Sequence, residues 1–241
     1  MPCSAVAIVA KTIAGEMHLT AATDILPQTI AYHILQKLRW RIITGDFMPG
    51  QALREQELEI EYGSSRGPIR ESQRLLLQTG LVEHLPRRGF RVRSYTADDI
   101  RNIYELRAML EAKTIDNLAG RNLEALVETL EGRCKVMEGC YKRRDLEGYF
   151  HENSAFHQCI IDFTENRPIA QVLYYVNEIS LPVRYRLLTT DFPSRRSLDY
   201  HEDITRQIKV GRLAKAKAVT EAHILENLDR AISVFAAHAG P

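Results

Sequence analysis

The feature that most restricts the fold is a change of period at Gly80. Ahead of it, apolar residues recur at helical spacing. Behind it, Leu81 to Leu85 and Phe90 to Arg93 alternate apolar and polar, the pattern of two half-buried strands. Between them stands Pro86-Arg87-Arg88-Gly89, a turn with a basic tip. A helix that stops on glycine and runs directly into a short basic hairpin reads as a recognition helix followed by its wing.

The residues upstream support two more helices. Ile30, Ile34, Leu38 and Ile42 are four apart and predict a helix over Thr29 to Ile43, stopped by Gly45 and Met48-Pro49-Gly50. A shorter helix fits Glu55 to Glu61, with Leu58 inward and Tyr62-Gly63 at its end. The third starts at the N-cap candidate Ser65, tolerates Pro68 in its first turn and ends at Gly80. Ile69, Leu76 and Leu77 are expected to pack inward. Arg66, Arg70 and Arg74 are four apart and share a face, with Gln73 beside them. Such a face offers arginine forks to guanine O6 and N7 in a major groove.

The charge distribution agrees. The 241-residue chain carries a net charge of only +1, yet residues 66–93 hold seven arginines (66, 70, 74, 87, 88, 91 and 93) against Glu71 and Glu83. A compact basic patch on a near-neutral chain suits a phosphate-contacting surface. No apolar run reaches the ~18–20 residues of a membrane span. Cys3, Cys134, Cys140 and Cys159 form no CxxC pair and read as reduced thiols of a cytoplasmic protein.

Past Thr96 the chain reads as helix throughout. Thr96-x-x-Asp99 forms a capping box, and Ile100, Ile103, Leu106, Leu110 and Ile115 make an apolar stripe. Further helices fit roughly 122–144, 145–163, 168–189, 195–209 and 213–237, with breaks at Gly120, Asn166-Arg167-Pro168, Asp191-Phe192-Pro193 and Gly211. About six helices in succession imply an antiparallel bundle. The expected fold is mainly α: an arm over 1–24, a winged helix-turn-helix over 25–95, and an all-helical bundle over 96–241. Within the bundle Asn153 and His157 lie i, i+4 on one helix, with His201 and His223 on later ones. Imidazole is a common ligand for divalent ions, but taken one at a time on spacing alone each histidine reads more readily as a surface or satisfied core residue than as a ligand.

The run GDFMPGQALREQELEIEYGSSRGPIRESQRLLLQTGLVEHLPRRGFRV resembles the DNA-binding domain of the GntR family in Met48-Pro49-Gly50, Leu53-Arg54-Glu55, Ser65-Arg66-x-Pro68-Ile69-Arg70-Glu71, Gly80-Leu81-Val82 and Arg87-Arg88-Gly89. The resemblance implies operator contacts from Ser65, Arg66, Gly67 and Arg70 on the recognition helix and from Arg88 and Gly89 on the wing. Gly67 stands where the family usually has threonine, and Gln56 where some members carry arginine. Thr96 to His238 resembles the FCD effector domain of the FadR branch. Glu105 to Glu111 is similar to its first-helix signature, and Asn153-x-x-Phe156-His157 with His201 and His223 is similar to its metal motif. The resemblance implies a divalent metal on Asn153, His157, His201 and His223, zinc first, with nickel or manganese as alternatives. Arg107 would hold a carboxylate effector through its two-pronged guanidinium, its other reading being an ion pair with Glu105 or another acid.

The expected function is transcription regulation. A homodimer would bind a palindromic double-stranded operator under control of a small organic-acid, sugar-acid or amino-acid effector, with no membrane partner. A purely structural metal is the alternative. A metal-dependent hydrolase is a distant third, because HExxH and comparable motifs are missing from the sequence.

Overall fold

A computed structural model describes residues 29–190 and 195–236. The expected arm over 1–24, Cys3 and the break at Asp191-Phe192-Pro193 lie outside the described residues. The amino-terminal unit runs α1 (Ile30–Thr44), β1 (Ala52–Leu53), α2 (Glu55–Tyr62), α3 (Arg66–Thr79), β2 (Val82–Leu85) and β3 (Gly89–Val92). Thr29 caps α1 by accepting from the Tyr32 amide at 3.2 Å. Gly45, Gly63 and Gly80 end the three helices in the left-handed conformation. The hairpin pairs Val82 with Val92 and Leu85 with Gly89, and β1 adds to its free edge in the order β1-β3-β2. Sequence periodicity did not anticipate β1, because two residues carry no period.

One core closes this unit, with Leu38, Leu58, Ile69 and Leu76 at its centre. It corrects the expectation for α3. Leu77 is exposed, while Ser72 and Gln73 join Ile69 and Leu76 on the buried face. Gln73 therefore leaves the basic face; its Nε2 donates to the Leu53 carbonyl at 2.7 Å, which satisfies a backbone acceptor inside the core. Two polar residues at core positions masked the true stripe.

The carboxy-terminal unit is helical: α4 (Ala97–Asp116), α5 (Glu124–Arg143), α6 (Leu146–Phe163), α7 (Arg167–Thr190), α8 (Arg195–Lys209), α9 (Leu213–Leu225) and α10 (Leu228–Ala236). The Thr96–Asp99 capping box forms as expected. The single helix expected over 213–237 is two. Asn227 lies in the break and donates its amide to the His223 carbonyl at 3.3 Å, competing with the backbone ladder. Leu130, Met137, Phe156, Ile160 and Ile204 build the larger core of the bundle. Cys134, Cys140 and Cys159 are free thiols.

Helix α7 joins the two units. Its buried Glu178 pairs with both Nε and Nη2 of Arg39 on α1. Trp40 of α1 meets Tyr185 edge-on at 5.6 Å and stacks on His151 at 5.2 Å. His151 is thus half-buried in this seam. Gly80 lies against the same helix: a Cβ there would fall 2.7 Å from Ile179 and from Tyr175.

Candidate metal centre and DNA-reading surface

Three helices converge on the bundle's polar centre. His157 comes from α6, His201 from α8 and His223 from α9, and all three are buried. One ring nitrogen from each lies within 4.8 Å of the others. The Nε2 atoms of His157 and His201 face each other at 3.3 Å. The opposite edges of these two rings are already committed: His157 Nδ1 lies 2.7 Å from a Glu111 carboxylate oxygen, and His201 Nδ1 lies 2.7 Å from the Ser197 carbonyl. Burial, outweighing the pull of Glu111, holds His157 below its ordinary pKa; burial and the neighbouring imidazoles push His201 and His223 well below theirs. The rings are therefore neutral.

Neutral imidazole carries one N–H, and both partners on the Nδ1 side can only accept. That proton therefore sits on Nδ1 in each ring. The two Nε2 atoms then point lone pair at lone pair, an arrangement that a cation between them would relieve. The Nδ1 of His223 is buried with no hydrogen-bond partner. The donor set and its outer partners fit a divalent ion of the zinc class.

Asn153, the fourth expected ligand, lies one turn before His157 on α6. Its Oδ1 accepts from Arg184 at 2.9 Å. An amide oxygen has two lone pairs, so this bond leaves one for a metal. Arg107 is buried on α4. Its acid partner is Glu111, an ion pair with a carboxylate oxygen 2.8 Å from Nε, rather than the exposed Glu105, while the Nε hydrogen itself is donated to Asn177 Oδ1 at 2.9 Å. Burial opposes ionisation of Glu111, but Arg107 and His157 outweigh it and take the carboxyl down to about 2.

Arg184 escaped the sequence reading. It lies in the middle of α7 beside buried apolar neighbours, and one arginine in such a run carries no signal of its own. Burial and the nearby Arg107 cation push its pKa down to about 9, against the pull of Glu111. Arg107, Asn153, Arg184 and His223 line one cleft, with Tyr104 and Arg230. Among the described residues the cleft wall carries Arg107, Arg184 and Arg230 and no carboxylate, Glu111 meeting Arg107 outside that lining, a surplus of positive charge that an anion would neutralise.

The other surface lies at the far end of the amino-terminal unit. Ser65, Arg66, Gly67 and Arg70 are all exposed at the start of α3. Ser65 occupies the N-cap position without a side-chain cap bond, and a Cβ on Gly67 would meet nothing within 4 Å. Arg88 and Gly89 sit at the hairpin tip beside Arg87, whose φ is +64°. Two arginines of the basic window do structural work instead: Arg91 pairs across the hairpin with Glu83, and Arg93 donates to the Gly80 carbonyl at 2.6 Å. Sequence spacing did not reveal that Glu55, the first residue of α2, accepts from Arg66 at 2.7 Å and from Arg70 at 2.9 Å.

Comparison with known proteins adds the following. Residues 30–92 match the model of "Bacterial regulatory proteins, gntR family", and residues 102–226 match that of the FCD domain. The chain is 31% identical over 202 residues to an uncharacterized HTH-type transcriptional regulator of Bacillus subtilis, covering 82% of this chain and 86% of the relative. It is 29% identical over 201 residues to the gluconate operon transcriptional repressor of the same organism, covering 81% of each. A solved structure of a transcriptional regulator from Rhodococcus sp. RHA1 superposes with a TM-score of 0.68 at 22% identity, over 84% of this chain and 97% of that one.

Proposed function

Since the chain belongs to the GntR family of bacterial transcription regulators and carries the FCD domain, and such proteins bind DNA rather than catalyse reactions, we propose that its operator binding is governed by a carboxylate effector held beside a divalent metal. The division falls at residues 95/96, ahead of the capping box that opens α4. His157, His201, His223 and Asn153 would hold the metal, zinc foremost. The ion would act as a Lewis-acid anchor for a carboxylate oxygen.

The observation that carries this reading is the opposed pair of His157 and His201 Nε2 atoms at 3.3 Å. The cleft's surplus of positive charge supports the effector class, with Arg107 and Arg184 as its guanidinium partners. One relative represses a gluconate operon, and gluconate is a hydroxylated carboxylate. On the DNA side, Ser65, Arg66, Gly67 and Arg70 would read and clamp the duplex, with Arg88 and Gly89 on the wing.

Effector occupancy can reach that surface through α7, which presents Arg184 to the cleft and Glu178 and Tyr185 to α1. For control to operate, the effector must bind the DNA-competent and incompetent arrangements with different affinity. A homodimer matches the two half-sites of a palindrome. Exposed Leu106 and Met109 on α4 offer apolar surface for a second copy. Among the described residues, no helix is long and apolar enough to cross a membrane.

Elemental analysis of the purified protein, followed by calorimetric titration of gluconate and related acids into metal-loaded and chelated protein, tests this reading. Bound metal whose removal abolishes acid binding is the expected result. A lower melting temperature with unchanged acid binding would make the metal structural. Protein that takes up no metal and binds no acid would refute the sensing half.

A further inference from the structure

Arg66 and Arg70 project from one face of α3 and are more than half exposed, while the Glu55 carboxylate between them is three-quarters covered. One Glu55 oxygen accepts from Arg66 Nε at 2.7 Å. The two oxygens accept from Arg70 Nε at 2.9 and 3.0 Å. Glu59 stands farther off, 3.8 Å from Arg66 Nε. All three bonds engage the inner nitrogen of a guanidinium. The terminal amines are the pair that can meet guanine O6 and N7 end-on.

We propose that Glu55 is a specificity-positioning residue of the DNA-reading surface: one carboxylate grips Arg66 and Arg70 by their Nε atoms and presents their terminal amines outward. This rests on the reading that α3 contacts the operator. Two physical consequences follow. Arginine has a long, flexible stem, and ordering it at binding costs affinity; here the ordering occurs when the protein folds. The carboxylate also removes one unit of positive charge from a surface facing phosphates, which weakens attachment to DNA of any sequence. Glu55 thus lowers indiscriminate binding while sharpening the correct contact, and specificity is the ratio of the two. As the first residue of α2, Glu55 also favours that helix's amino terminus, so a test must separate orientation from mere stability.

The full-length protein is used first to select tight-binding duplexes from a randomised pool. Affinities for the best selected duplex and for a shuffled duplex of the same composition are then measured across a salt series. Glu55→Gln is expected to bind the shuffled duplex more tightly, with a slope of log K against log salt steeper by about 0.9. Its selected-to-shuffled ratio is expected to fall roughly tenfold, since two side chains must now be ordered at binding. Glu55→Asp keeps the charge but is too short to reach both arginines, so its ratio should fall with no change in salt slope. A ratio within about twofold of the parent in both variants overturns the proposal. So does a ratio that falls only in Glu55→Gln, because charge alone would then explain it. Melting curves of each variant show whether α2 has been weakened, and Glu55→Asp retains the acid at that helix start. Arg66→Ala and Arg70→Ala are measured alongside. If neither changes selected-duplex affinity, the contact surface itself has been misassigned, a failure distinct from that of the Glu55 role.

Discussion

Replacing Gly80 by alanine tests the packing of the DNA-binding unit on the bundle, and its cost can be worked from geometry. Gly80 has φ +79°, and an L-residue held in the left-handed region costs about 1–2 kcal/mol. The added Cβ would also lie 2.7 Å from Ile179 Cγ2 and 2.7 Å from the Tyr175 ring. Tyr175 is 40% exposed and can swing aside, but Ile179 is 8% exposed and wedged in the seam. Overpacking of that kind adds about 1–3 kcal/mol. The total loss is then about 2–5 kcal/mol. Gly63→Ala is the control, since φ there is +57° but nothing lies within 4 Å; it should cost only the backbone part, about 1–2 kcal/mol. Urea unfolding followed by circular dichroism gives both losses. The chain's one tryptophan, Trp40, sits in the seam between units, so its emission should shift to the red in Gly80→Ala under native conditions and not in Gly63→Ala. Equal losses for the two variants, with unchanged Trp40 emission, would refute the packing of α3 against α7.

Three further outcomes follow from individual residues. Arg87 has φ +64° in the wing turn, so Arg87→Gly should raise stability by about 1 kcal/mol and make the salt slope on random-sequence DNA shallower by about 0.9; an unchanged slope would show that Arg87 meets no phosphate. Glu111→Gln replaces the charged acceptor that orients His157 with a neutral amide, and zinc affinity measured by chelator competition should fall roughly 10–100-fold; full retention would show that this carboxylate does not tune the centre. The histidine pKa values are lowered in the fold from an ordinary 6.5, so below that pH the unfolded chain takes up protons that the folded chain refuses. Metal-free protein should therefore be most stable above about pH 6.5 and lose stability as pH falls toward the depressed values, with Glu111 adding a loss below its ordinary 4.5 on the way to about 2. Urea unfolding of chelated protein from about pH 8 to about pH 5 reads the histidine part, and extending the series to about pH 3 reads that of Glu111; a flat profile above pH ~5 would mean the three imidazoles are solvated.

Much of the fold was legible because it is local. Period changes, caps and left-handed glycines identified α1 through α3, the hairpin and the capping box of α4, since each depends on residues within a turn or two of chain. The face of α3 departs from the expected one where Ser72 and Gln73 take core positions: Gln73 is satisfied there by the distant Leu53 carbonyl, and Ser72 by the Ile69 carbonyl of its own helix, neither of which the apolar period records. The split between α9 and α10 escaped for a related reason: Asn227 competes for a carbonyl without disturbing the apolar period.

The sequence by itself determined the architecture, the family and which histidines to watch, since periodicity and motif spacing are properties of order along the chain. Only the tertiary structure decided what those residues face. It brought His157 and His201 lone pair to lone pair, gave Arg107 to Glu111 and set Arg184 beside them. It also placed one carboxylate beneath two arginines of the basic face. Apart from the i, i+4 pair of Arg107 and Glu111 on α4, those relations join residues 11 to 77 positions apart on different helices, and electrostatics at 3 Å depends on distance in space rather than on separation in sequence.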